Sequence, residues 1–411
     1  MSETMEQPAT GTTASARPPR TWLMMGHKAG DNSQILALAE ALGWPFEIKN
    51  LVYRPTELMT NLFAGPTLMG LVKDRSSPLE PPWPELVISA GRRNEPLVRW
   101  IQLQAGGPSK VKLVHVGRPW ALHECFDLIV TTPQYRLPDK PNILQNEAPL
   151  QRVNAERLEE AAALWGPRLA HLPRPLISVS MGGNAGPYSL DRENGALLGH
   201  WASRMAKELG GSLLVTTSAR TPRKAADALE AALDVPSFVY RWRKDDPENP
   251  YFGFLALADR LIVTGDSMSM LAEACVTRKP VYIFDLARGP GSSRPPPPED
   301  GSIPGRTLME RLADIRLQPI VYRIGMITGP KRLTRDVRLI HARQVKEGRA
   351  VWLGQDWPES AEKAPPLGDV ERAAAAVRAL FDPVRGARAE ENKAQITTPP
   401  ILPEAVRRLF Q

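Results

Sequence analysis

Short runs of Val, Ile, Leu and Met recur along the chain, each running into a polar or glycine-bearing turn and often on into a stretch with helical spacing. Thr21 to Met25 leads into the turn GHKAGDNSQ and an amphipathic stretch from about Gln34 to Leu42 that stops at Gly43. Glu85 to Ser89 is followed by AGRRNEP, Lys112 to Val116 by GRPW, and Phe126 to Thr131 by TPQYRLP. Continuously apolar strands alternating with helices are the mark of a parallel sheet covered on both faces. A helical stretch from about Asn154 to Leu169 then separates this series from a fresh strand at Leu176 to Ser180.

The second series repeats the pattern. Leu176 to Ser180 enters the turn MGGNAGPYSLD, a helix is expected near Asn194 to Leu209, and Ser212 to Thr216 enters TSARTP. Asn249 caps and Pro250 opens a helix through Ala258, which delivers the chain to LIVTGDSMSMLAEACVTRKPVYIFD, Leu261 to Asp285. Here two Val/Ile-rich strands flank a helix that Asp266 or Ser267 can cap and that Arg278, Lys279 and Pro280 close. Helix starts at the C-terminal edge of an open α/β sheet bind phosphates. Ser269 and Glu273 are four residues apart, so their Cβ atoms lie roughly 5–6 Å from each other on one face. Ser269 is thereby suited to a phosphate and Glu273 to a ribose diol, with Leu271, Ala274 and Cys275 toward the core. The alternative is a plain capped helix with a solvated Glu273.

A chain of 411 residues exceeds what one core normally supports, so two domains are expected. We place a disordered leader at 1–20, an N-terminal Rossmann-like domain at 21–165, and a C-terminal Rossmann-like domain at 166–385 carrying a mobile Pro-rich loop at 287–305. A tail follows at 386–411 with a helix near Glu404 to Phe410; another helix is expected at Asp369 to Leu380. Cys125 and Cys275 are the only cysteines, which fits a reducing, cytoplasmic setting without a disulfide framework. The longest apolar run, near Tyr251 to Thr264, is broken by Asp259 and Arg260 and is too short for a membrane span. A net charge of +7 suits anionic ligands or a peripheral position at the inner face of a membrane, while no basic-aromatic interleaving marks a nucleic-acid partner.

Candidate chemistry sits in the turns. GGNAG has neither the GxGxxG order of a dinucleotide fold nor the GK[ST] of a P-loop. Its Gly182, Gly183 and Gly186 allow close backbone approach to a phosphate or a sugar, or simply a tight turn. Ser218 and Arg220 could bind a diphosphate or lie on the surface. His27 and Asp31 stand where a general base is expected, and Arg92, Arg93 and Asn94 could touch an acceptor or cap a helix. His115, inside a strand, reads as structural. No Asp-x-Asp and no paired histidine spacing occurs, so neither a metal nor another cofactor is called for.

The succession GHKAGDNSQ, ISAGRRNEP, VHVGRPW, VSMGGNAGPY, TTSART, NPY and GDSMSMLAEA resembles bacterial and plant proteins of the mitochondrial fission ELM type over most of Thr21 to Asp285, and more weakly to about Leu380. That family looks like the GT-B glycosyltransferases. The resemblance implies an α/β protein with two Rossmann-like domains facing a central cleft, a nucleotide-sugar donor, and no metal. It implies that Gly182, Gly183 and Asn184 lie by the donor diphosphate or sugar, Ser267, Ser269 and Met270 at the phosphates, and Glu273 at the ribose. His27 falls where such enzymes place catalytic or acceptor groups. The expected activity is sugar transfer to a hydroxyl of a lipid-linked or cell-envelope acceptor, with a membrane-associated lipid-linked glycan as one acceptor. The alternative is a GT-B-shaped adaptor that recruits a protein partner.

Overall fold

The computed structural model describes residues 17–54, 65–185, 188–287, 292–293, 295–296, 335–358 and 364–382. Most of the expected leader, Gly186, most of the Pro-rich loop, and the tail with its helix near Glu404 to Phe410 lie outside these residues. Of the leader, Arg17 and Arg20 are described, and both bond to the Glu85 carboxylate.

The first half contains β1 (Thr21–Met25), α1 (Ala29–Leu42), β2 (Phe46–Asn50), β3 (Leu86–Ala90), α2 (Glu95–Gln104), β4 (Lys112–Val116), β5 (Leu128–Thr131) and β6 (Ile143–Gln145). After α3 (Ala155–Leu169) come β7 (Leu176–Ser180), α4 (Arg192–Leu209), β8 (Ser212–Thr216), α5 (Arg223–Ala231), β9 (Ser237–Tyr240), α6 (Tyr251–Leu257), β10 (Arg260–Thr264), α7 (Met268–Val276) and β11 (Val281–Phe284). The described chain ends with α8 (Arg338–Lys346), β12 (Val351–Trp352) and α9 (Asp369–Arg378).

The strands form two six-stranded sheets, ordered β2-β1-β3-β4-β5-β6 and β12-β11-β10-β7-β8-β9, and every strand pair is parallel. These are two doubly wound Rossmann-like units, the GT-B-like α/β architecture that the sequence implies. Strands β1, β3, β7 and β8 are buried at every position, as strands covered on both faces must be. Alternation still sorts their side chains: Leu23 and Met25 join the core under α1 and α9, whereas Trp22 and Met24 join the opposite one with Leu97 and Ile101 of α2. Edge strand β2 departs from this pattern, leaving Phe46 and Ile48 exposed.

The expected boundary at 165/166 falls inside α3, which buries Trp165 and Leu169 against Leu176, Leu214 and Phe254 of the second half. In turn α9, expected in the second domain, places Ala373, Ala374 and Val377 in the core with Leu38 and Leu42 of α1. Among the described residues the chain therefore crosses between the halves twice. The crossings touch where the Asp369 carboxylate accepts the N–H groups of Glu147 at 3.0 Å and Ala148 at 2.8 Å. Further ties come from α8, whose N-terminal side carries Asp336 to Arg136 at 2.7 Å and whose Arg343 reaches Glu147 at 2.8 Å.

Close helix packing in the second half depends on small residues. A Cβ on Gly195 of α4 would lie 2.1 Å from the Ala225 carbonyl oxygen, and one on Gly199 would lie 2.7 Å from that of Leu229. In a loosely packed helix Gly→Ala would stabilise by about 1 kcal/mol. Here Gly195→Ala should reverse the sign and cost about 2–4 kcal/mol, because backbone atoms of α5 cannot move aside. Urea unfolding measures this, and a stabilised variant would contradict the packing.

Candidate functional site

Ligands of doubly wound sheets bind at the C-terminal strand ends, where the strand order reverses. That reversal falls between β1 and β3 in the first sheet and between β7 and β10 in the second. The turns after these four strands hold most of the residues singled out from the sequence.

In the second crevice, Asp266 is 2% exposed and binds across the gap. One carboxylate oxygen accepts the Gly183 N–H at 2.7 Å and the other accepts the Thr264 hydroxyl at 2.8 Å, with Arg220 at 3.3 Å from the carboxylate. The Thr264 oxygen itself accepts the Gly182 N–H at 2.7 Å. Burial raises the Asp266 pKa above the usual carboxylate range, opposed by the Gly183 N–H and by Arg220. Asp266 therefore does not cap α7; it fastens the β7 turn to the β10 turn.

This changes the meaning of the glycines. A Cβ on Gly182 would lie 2.4 Å from the Asp266 carboxylate, and one on Gly183 would lie 2.2 Å from the Arg220 carbonyl oxygen. Their N–H groups are already bonded, so these glycines admit protein neighbours rather than a phosphate. Ser218 is likewise engaged: its hydroxyl donates to the Gly182 carbonyl at 2.7 Å. The Asn184 side chain accepts the Leu190 N–H at 2.9 Å. Arg220 is half-exposed at the rim and is the one cation of this turn set that can meet an anion while holding Asp266.

Helix α7 starts at Ser267, whose side chain makes no capping bond. Its first turn, with Ser269 and Met270 partly exposed, keeps the unpaired N–H groups and positive dipole end that attract an anion. As expected from the sequence, Leu271, Ala274 and Cys275 face the core. Glu273 is not a solvated residue: it is 9% exposed and accepts the Tyr251 hydroxyl at 2.5 Å. Burial pushes its pKa up to about 7, against the lowering effects of Tyr251 and Arg152.

The first crevice is a cavity of about 120 Å³ between the turns after β1 and β3. His27, Lys28, Asp31, Arg92 and Arg93 line it, with Asn32, Tyr53 and Asn94. Asn32 shapes the β1 turn by accepting the Gly26 N–H at 3.0 Å and donating to the Gly26 carbonyl at 2.8 Å. Asn94 is 2% exposed; its amide donates to Met24 O of β1 and Ala90 O of β3, both at 2.9 Å, and its oxygen accepts the Tyr53 hydroxyl. Neither an acceptor contact nor a side-chain helix cap remains open to it, so Asn94 holds the crevice together.

His27 bonds through Nδ1 to the Arg93 guanidinium at 3.3 Å. Arginine only donates, so Nδ1 accepts and the imidazole proton resides on Nε2. Burial, Arg93 and Lys28 lower the His27 pKa. The ring presented to the cavity is thus a neutral N–H donor. Asp31, in the first turn of α1, presents the carboxylate, 4.0 Å from Lys28 and packed over Gly91, where a Cβ would fall 2.9 Å from Oδ2. Arg92 stacks on Trp120 at 4.6 Å. As in α7, no side-chain bond caps α1. His115 is fully buried beside Ser89, its pKa lowered to about 3 by desolvation, which is a structural placement.

The two crevices face each other, for a Cβ on Gly30 at the start of α1 would come within 3.9 Å of Ser269 Oγ. Sequence reasoning missed the Tyr251 partner of Glu273, the Asn32 clamp and the Asp369 link. Tyr251 stands in the NPY motif, which was a detectable signal; the other two depend on distant backbone groups that no local spacing announces.

A model of the family described as Mitochondrial fission ELM1 matches residues 29–295, well over half of the chain. The chain belongs to that family. It is 29% identical over 238 residues to the mitochondrial fission protein ELM1 of Arabidopsis thaliana, a match spanning 52% of this chain and 54% of the relative, about half the relative's length. An uncharacterised protein of Rickettsia prowazekii is 22% identical over 335 residues, 73% of this chain and 89% of that protein. Among solved structures, UDP-GlcNAc 2-epimerase from Neisseria meningitidis bound to UDP-GlcNAc is 12% identical with a TM-score of 0.43, over 89% of this chain and 100% of that chain. A family 9 glycosyl transferase from Veillonella parvula is 11% identical with a TM-score of 0.38, over 65% and 80% of the two chains. At such scores the architecture rests on the strand order itself. No helix among the described residues is long and apolar enough to cross a membrane.

Because its pKa is raised, Glu273 favours the folded state as the neutral acid. That contribution is complete below about pH 4.5 and is lost as pH rises through about 7. Glu273→Gln, which preserves a carbonyl for Tyr251, should match the parent in stability at pH 4.5 and exceed it by about 1–3 kcal/mol at pH 8. Urea unfolding across this range tests it; a difference independent of pH would show that no buried charge is involved.

Proposed function

We propose that this member of the mitochondrial fission ELM1 family is a metal-independent glycosyltransferase. It moves a sugar from a nucleoside diphosphate donor to a hydroxyl of a lipid-linked or cell-envelope acceptor. The observation carrying this reading is the confrontation of two switch-point crevices, each with a helix start that no side chain caps. An anionic ligand between them gains from both dipole ends.

In this reading the donor diphosphate lies at the first turn of α7, against Ser269 and Met270, with Arg220 at its edge. Glu273, held by Tyr251, takes the ribose diol. Gly182, Gly183, Asn184, Ser218 and Asp266 shape this wall rather than contact the phosphates. The acceptor hydroxyl lies in the first crevice, where Asp31 takes its proton as the oxygen bonds to the anomeric carbon. The bond from that carbon to the diphosphate breaks, and its electron pair leaves with the nucleoside diphosphate. His27, donating through Nε2–H, orients the reacting oxygens.

The His27–Arg93 contact also favours a second reading, a non-catalytic GT-B-shaped adaptor that recruits a protein partner. An imidazole whose Nδ1 is taken by a guanidinium lacks the lone pair expected of a poised base.

Calorimetry with UDP-, GDP-, ADP- and CMP-sugars separates these readings when combined with an assay of nucleoside diphosphate release. We expect one donor class to bind, Arg220→Ala to weaken it about 10-fold through loss of a charge-assisted contact, and Asp31→Asn to reduce turnover at least about 100-fold with donor affinity little changed. Binding without turnover in the parent would favour the adaptor. Failure to bind any donor would remove the transferase reading.

A further inference from the structure

The first crevice has a composition that a neutral sugar or a simple alcohol does not require. Lys28, Arg92 and Arg93 are cations that only donate hydrogen bonds, and His27 presents an N–H because Arg93 occupies Nδ1. Beneath the cavity the Tyr53 hydroxyl donates to Asn94, the Asn94 amide donates to Met24 O and Ala90 O, and Asn32 donates to Gly26 O, so these donors are used within the protein. Among the described lining residues Asp31 carries the one carboxylate. A ligand that satisfies this set brings several anionic oxygens for the donors and one hydroxyl for Asp31.

We propose that the first crevice recognises its acceptor through a phosphate group, held by Lys28, Arg92, Arg93 and His27, with the reacting hydroxyl directed to Asp31. This rests on the transferase reading and deepens it by naming the acceptor as a phosphorylated hydroxyl compound. The cavity fits such a group in size as well as in charge. Its volume of about 120 Å³ admits a phosphate and a short carbon fragment, leaving the remainder of the acceptor at the mouth. The arrangement also places the anion on the opposite side of the cleft from Arg220, so acceptor phosphate and donor diphosphate have separate cations.

The test is an NMR-monitored titration of the full chain with glycerol phosphate, which carries both a phosphate and a hydroxyl, with glycerol as the uncharged control. A nucleoside diphosphate is titrated in parallel. We expect Arg93→Ala and Lys28→Ala each to weaken glycerol phosphate about 10-fold or more, as loss of a charge-assisted contact implies. Arg93→Lys should recover much of this, with nucleotide affinity changed less than about 2-fold. Arg220→Ala should do the reverse. Lys28 and Arg93 are at the cavity surface, and an unchanged thermal transition verifies the fold of each variant. Glycerol binding as well as glycerol phosphate would overturn the proposal, as would glycerol phosphate affinity indifferent to Arg93 and Lys28. So would an equal loss of nucleotide affinity in Arg93→Ala, because the cations would then serve the donor's own diphosphate. Arg93-dependent glycerol phosphate binding in a parent that binds no nucleotide would uphold the acceptor site while removing the donor reading.

Discussion

A parallel sheet whose strand order reverses leaves a gap at its C-terminal edge, and the backbone groups beside that gap must find partners without closing it. Each half meets this constraint with buried polar side chains, chief among them Asn94 in the first and Asp266 in the second. Asn94 bridges the ends of β1 and β3 by donating to both carbonyls, and Asp266 bridges the turns after β7 and β10 by accepting an N–H and a hydroxyl. Removing either would leave several buried groups unsatisfied at about 1–3 kcal/mol each. The two choices differ in charge because the exposed groups differ: carbonyls need an amide donor, whereas N–H and hydroxyl groups need a carboxylate. Everything proposed for ligand recognition stands on these two bridges.

Much of the architecture was legible where burial is two-sided. The runs LISVS, SLLVT and LIVT are continuously apolar because helices cover both sheet faces, and they are strands at or within one residue of the expected positions. Strand β2 was missed because FEIKN sits at an edge and carries exposed residues of both kinds. Similarly, β9 and β6 are short and flank the sheets, where the signal of double coverage is absent. Helix α9 was recognised as a helix, yet its packing on α1 was not, because helical periodicity reports that a face is buried and not what buries it.

The site was legible to the level of turns rather than roles. GHKAG, GRRN, GGN and GDSMS all reach the two crevices, as their positions after strands require. Within them, Gly182 and Gly183 answer to Asp266 and Arg220, contacts fixed by chain far away in sequence. Glu273 read as a ribose ligand or a solvated carboxylate, and its bond to Tyr251 was not legible because that partner belongs to another helix. A polar side chain beside a glycine turn thus has two readings, ligand contact and internal brace, and only the location of its hydrogen-bond partners separates them.

The double crossing at Asp369 has a mechanical meaning. Among the described residues two peptide strands connect the halves, one leaving β6 and one entering α9, and the Asp369 carboxylate laces them side by side. A single linker would act as a swivel, free to twist and slide. Because Asp369 is also the first residue of α9, whose core is shared with α1, the same lace ties the helix that opens the first crevice to the connection between the halves.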